Sequence, residues 1–190
     1  MSRVHPAAPE QYAPLFGPDA PLALRIHANH PELARAYTEF SNALRTSART
    51  LPARLTELVR LRIAFHNQCR SCMALRYGHA AQDGVTEDLV CSLERPQEAD
   101  DLTEAERAAL AFADLMATDH LAVDDATYDR LREHYTEAEI VELGYNCALC
   151  VGFGRLAATW DMVDELPERF RAEGPGPVTP WGDGDVVPVP

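Results

Sequence analysis

The stretch Glu57-Leu-Val-Arg-Leu-Arg-Ile-Ala-Phe-His-Asn-Gln-Cys69-Arg-Ser-Cys72 decides how this chain is read. Helix-forming residues run up to Asn67-Gln68, which reads as a break between two helices. A Cys-x-x-Cys pair follows at the start of the next helix, expected to run from Cys69 to Gly84, a C′ glycine. The helix before the break is expected from about Ala53 to Asn67.

Working outward, the same pattern fills most of the chain. A helix is expected from about Pro31 to Ser47, with proline suited to the first turn. Another opens at Thr86, where Thr-Glu-Asp supplies a cap and first-turn acids. Thr103-x-x-Glu106 and Thr136-x-x-Glu139 are capping boxes that open two more, the second running to about Val163. One further helix spans roughly residues 124 to 134. No convincing strand pattern precedes the Val186-Val187 tail. Residues 1–21 carry five prolines and read as an extended arm, and residues 171–190, rich in proline and glycine, as an irregular tail. Residues 22–170 between them read as one compact, all-α, multi-helix domain.

Composition narrows the function. The 190 residues carry a net charge of −13, and the 17 cations are scattered arginines rather than a basic stripe. Binding to nucleic acid or to an anionic membrane is therefore not expected. The longest unbroken apolar run, Cys147 to Gly154, is far below the ~20 residues of a membrane span. Met1-Ser-Arg-Val-His-Pro leads into no apolar segment, so a cytoplasmic location is expected. Five cysteines in such a chain are more often catalytic or metal-binding than structural.

Unpaired N–H groups at a helix start favour an anion, so a thiol there loses its proton more readily. The two-residue gap lets Cys69 and Cys72 close a reversible disulfide. Half a zinc knuckle is the competing reading, with Cys147 and Cys150 as the other half. Those two lie in mid-helix on the apolar stripe of Ile140, Leu143, Gly144, Val151, Gly154 and Ala158, and read as core residues. Cys91 reads as inert. No metal and no cofactor is expected.

Glu57 shares a helix side with Leu61 and Ala64, where a carboxylate needs a partner. An exposed ion pair with Arg60 is the plain reading. In a helical hairpin about the break, Glu57 lies ~15 Å down one arm and Cys72 ~5 Å up the other, at 1.5 Å per residue. Arg76 and His79 stand four and seven positions after Cys72, on its face of a continuous helix. A chain from Glu57 through Arg76 or His79 to Cys72 is therefore permitted.

These residues resemble the core motif of the alkylhydroperoxidase D-like branch of the carboxymuconolactone decarboxylase superfamily. A glutamate stands twelve positions before the first cysteine, and a glycine, Gly84, twelve after the second. The resemblance implies an all-α homo-oligomer and a thiol peroxidase relay, with Cys72, Cys69 and Glu57 in its active positions. The family histidine four residues after the second cysteine does not carry over: Arg76 stands there. A guanidinium can serve as counter-ion to a Cys72 thiolate but cannot give up a proton, which then comes from Glu57, His79, Tyr77 or water.

The expected activity is thus that of an antioxidant thiol oxidoreductase, a peroxidase or disulfide reductase. Its small-molecule substrate is a peroxide or disulfide, and an external thiol is the reductant. The alternatives are a decarboxylase-like lyase independent of the cysteine pair, or a non-catalytic helical oligomer that keeps the motif for packing.

Overall fold

The computed structural model describes residues 1–172, 174 and 176–189. Its eleven α-helices are α1 (Pro9–Phe16), α2 (Leu22–His27), α3 (Pro31–Asn42), α4 (Ala53–His66), α5 (Arg70–Ala74), α6 (Gly78–Gln82), α7 (Glu87–Cys91), α8 (Glu104–Thr118), α9 (Asp125–Arg132), α10 (Glu137–Trp160) and α11 (Glu168–Arg171). A π-helical turn, Ala43–Ser47, extends α3.

Helix α4 is the axle of the domain. Leu55, Leu58, Val59, Leu61, Ile63 and Ala64 are all buried, so it is enclosed rather than amphipathic. It packs on α8 and α10, and its apolar side chains join Leu110, Phe112, Leu143 and Cys147 in the main core. Arg62 and His66 both grip Asp114 of α8, at 2.7 Å each. On α10, the buried Glu142 accepts from the Thr50 amide at 2.8 Å and from its hydroxyl at 2.5 Å, which holds the segment entering α4.

The local start signals act as expected. Thr86, Thr103 and Thr136 each cap their helices through the side-chain oxygen, the last two within complete capping boxes. Gly84 ends α6 with φ +86°, a conformation that disfavours any side chain.

Two expectations are corrected. The helix expected from Cys69 to Gly84 is broken: α5 has five residues, Leu75–Tyr77 are extended (β1), and α6 follows. The cause lies far along the chain, where Val187–Val189 (β2) pairs in parallel with β1, Leu75 opposite Val187. The tail is therefore ordered against the domain, although Glu173, Pro175 and Pro190 lie outside the described residues. Trp181 packs on Phe65 with ring centroids 4.7 Å apart, and the Gln68 side chain both donates to and accepts from the Val178 backbone.

The first 21 residues are not an extended arm throughout either. Pro9 starts α1, where its missing N–H costs nothing. The Arg3 amide donates to the Trp160 carbonyl at 2.8 Å, fastening the N-terminus to the end of α10.

Helix α10 has 24 residues and a mean hydropathy of 1.2 over its best window, which by length and composition alone permits a membrane crossing. Its inner face packs on α4 and α8, and 33% of that window is buried.

Candidate active site

The turn between α4 and α5 sets the cysteines. Gln68 takes φ +50°, unusual for a side-chain-bearing residue, and is braced by its own bonds to Phe65 and Val178. Asn67 donates to the Cys150 carbonyl at 2.9 Å, and α10 admits it because a Cβ on Gly154 would lie 2.5 Å from the Asn67 amide nitrogen. The chain turns sharply and delivers Cys69 as the N-cap of α5, its sulfur accepting from the Cys72 amide at 3.3 Å. With α5 only one turn long, that single N–H replaces the full helix dipole expected from the sequence.

Cys69 and Cys72 form a disulfide with Cα atoms 5.2 Å apart. The two sulfurs are not equivalent. Cys69 is wholly buried, whereas Cys72 lines a cavity of about 300 Å³. Glu57 and His79 line the same cavity, so three of the expected site residues meet there, with Cys69 directly behind Cys72.

Arg76 does not join them. Its guanidinium pairs with Glu87 at 2.7 Å and donates to the Pro180 carbonyl at 2.6 Å, and it is not part of the cavity wall. The break at β1 removes the shared helical face on which an Arg76–Cys72 contact depended. Arg60, which the sequence suggests only as an exposed partner for Glu57, stands there instead. It grips both Glu57 oxygens, at 2.7 and 2.8 Å, and donates to the carbonyls of Cys72 (2.6 Å) and Leu75 (2.9 Å). The pair is buried, with 3% of the Glu57 side chain and 15% of Arg60 exposed. Burial opposes the charge on Arg60, but the Glu57 carboxylate outweighs it and holds the guanidinium above its ordinary pKa. The spacing of three positions from Glu57 to Arg60 is the available signal: i,i+3 neighbours share a helix face.

His79 lies below its ordinary pKa because of burial, and then because of Arg49, Arg45 and Arg60; only Glu57 opposes them. Its ring is therefore neutral at neutral pH. Burial likewise pushes the Cys150 thiol up to about 11 and Cys147 well above its usual range. Cys147 is a core residue as expected; Cys150 is partly buried against the same core and also lines the cavity. Cys91 is exposed.

A family model described as the carboxymuconolactone decarboxylase family matches residues 31–115. The uncharacterized protein YdfG of Bacillus subtilis is 31% identical over 108 residues, which cover 56% of this chain and 68% of YdfG. The chain belongs to the carboxymuconolactone decarboxylase family. An uncharacterized Mycobacterium tuberculosis protein is 37% identical over 129 residues, 65% of this chain; the match spans only 44% of the mycobacterial protein.

Among solved structures, the fold matches an uncharacterized peroxidase-related protein of Ralstonia eutropha with the alkylhydroperoxidase AhpD core. The TM-score is 0.63 at 23% identity, covering 78% of each chain. It also matches the debrominase Bmp8 bound to 2,3,4-tribromopyrrole, with TM-score 0.70 at 23% identity, covering 85% of this chain and 90% of Bmp8. Those likenesses establish the alkylhydroperoxidase D-like helical fold.

Proposed function

We propose that this chain is a thiol-dependent oxidoreductase that reduces a small organic peroxide through the Cys69–Cys72 pair. The observation that carries this reading is the asymmetry of the pair: Cys72 faces a cavity of molecular size, and Cys69 lies buried behind it. Such an arrangement suits an attacking thiol and a resolving one.

In the reduced protein, Cys72 gives its thiol proton to neutral His79 and attacks the peroxide oxygen. The O–O bond breaks, Cys72 becomes a sulfenic acid, and the alkoxide recovers the proton from His79 and leaves as the alcohol. The Cys69 thiol then attacks the sulfenyl sulfur, water departs, and the disulfide forms. Two electrons from an external thiol restore both cysteines. Arg60 pins the Cys72 carbonyl while Glu57 balances its charge, so both act as positioning residues. The reading carries with it a cytoplasmic setting and a homo-oligomeric assembly. The likeness to a peroxidase-related protein supports the peroxide class.

The test is stoichiometric oxidation of the reduced protein by cumene hydroperoxide, read by peptide mapping. Cys69→Ser is expected to stop at a Cys72 sulfenic acid that a dimedone probe traps, and Cys72→Ser to consume no peroxide. Equal consumption by Cys72→Ser overturns the assignment. Activity on a muconolactone that survives alkylation of both cysteines favours the lyase instead.

A further inference from the structure

Among the described residues, one arginine at the cavity has no carboxylate partner. Among the described residues two acids line the wall, Glu57 and Glu165, and each is held by an arginine, Arg60 and Arg25 respectively. Arg45 also lines the wall, and its guanidinium is met by neutral oxygens alone. Nε donates to the Ser41 carbonyl at 3.2 Å, Nη2 to the Ser41 hydroxyl, and Nη1 to the Tyr77 hydroxyl at 2.6 Å. The Arg45 and Arg60 guanidinium carbons each lie 5.1 Å from the Tyr77 ring centroid. Arg49, outside the cavity wall, has a buried Nη1 atom with no hydrogen-bond partner among the described residues, and its charge reaches His79. His79 is lowered first by burial and then by Arg49, with Arg45 and Arg60 adding to it against the opposing Glu57.

Excess positive charge in a half-buried place is costly unless an anion shares it. It is also conspicuous in a chain of net charge −13, where carboxylates abound. The rest of the wall is of opposite character. Tyr37 packs between His27 and Phe153, at 4.7 and 4.5 Å between centroids, and Trp160 stands edge-on to His27 at 5.0 Å. The cavity thus joins a cationic end near Cys72 to an aromatic end that is largely uncharged.

We propose that Arg45 binds the carboxylate of an amphipathic organic acid whose apolar body lies along Tyr37, Phe153 and Trp160. A guanidinium matches a carboxylate with two parallel N–H donors, which a neutral alcohol cannot exploit. The site deepens the peroxidase reading by naming its substrate class, a hydroperoxide that carries an acid group, but binding itself needs no redox step.

The test therefore uses the disulfide form and calorimetric titration with two non-reacting probes, octanoate and 1-octanol. Wild type is expected to bind octanoate about tenfold more tightly than octanol, the worth of one charge-assisted contact. Arg45→Gln should lose that preference while binding octanol as before, and Arg45→Lys should retain part of it. Equal binding of both probes by wild type overturns the site, a result that stands even where a variant fails to fold. So does a preference that survives in Arg45→Gln. If Arg45→Gln instead leaves octanoate binding intact and slows alkylation of reduced Cys72, Arg45 serves the thiol and the proposal falls. Octanoate preference without hydroperoxide turnover upholds the site and overturns the peroxidase reading; turnover without preference does the reverse.

Discussion

Glu57 and Arg60 form the buried charge pair on which the position of Cys72 depends. Arg60 spends two donors on Glu57 and two on the carbonyls of Cys72 and Leu75, so one guanidinium ties α4 to the redox turn and to β1. Such a pair adds little net stability over an apolar equivalent, yet removing one partner strands a buried charge at about 3–5 kcal/mol. Glu57→Gln is therefore expected to lower Tm by roughly 10 °C in a chain of this size, read by calorimetry. A Tm within about 2 °C of the parent would mean that the Arg60 charge is met by solvent or by the two carbonyls alone. Arg76 differs in kind. Its carboxylate partner, Glu87, is half exposed, so that pair is worth little in itself, and its importance lies in the Pro180 carbonyl it holds.

At the level of elements, Arg76 is a latch for the tail. It sits in β1, bonds Glu87 of α7, and reaches Pro180, while its neighbours pair with β2. Arg76→Ala is expected to raise amide hydrogen exchange across Val187–Val189 at least tenfold and to leave the pH profile of Cys72 alkylation unchanged. A shifted alkylation profile with the tail still protected would return Arg76 to the thiol. The same element shows where sequence reading succeeds and fails. Thr103, Thr136 and Gly84 were legible because caps and C′ glycines are decided within four residues. The spacing of Glu57 to the cysteine pair is legible too, and Glu57 and Cys72 share one cavity; His79 reaches that cavity although the continuous helix that suggests it is broken at β1. Pairing of Leu75 with Val187 is not legible, since strand partners more than a hundred residues apart leave no local periodicity. Without that pairing a continuous helix puts Arg76 on the face of Cys72, and nothing local in the sequence marks the π turn that brings Arg45 to the cavity wall.

For the whole molecule, the outer face is as informative as the cavity. Leu33 and Phe40 of α3, and Val141 and Tyr145 of α10, none of them in the cavity wall, are 43–63% exposed. A ring contact joins the two helices on this surface, Phe40 to Tyr145 at 6.0 Å. Scattered apolar side chains are ordinary on a protein surface, but a connected patch marks an interface. With a net charge of −13, two copies repel at long range, so association must rest on such an uncharged face. Homo-oligomerisation through α3 and α10 is therefore expected, and light scattering at micromolar concentration should give a multiple of the 21.0 kDa chain mass. Val141→Asp combined with Tyr145→Asp puts two like charges on each side of a symmetric contact, and should give monomers that keep their helical circular dichroism. Neither residue lines the cavity, so the variant separates assembly from chemistry. A mass of 21.0 kDa for the unaltered protein would show that the apolar face of α10 has another use. A variant that stays assembled would place the contact on some other surface.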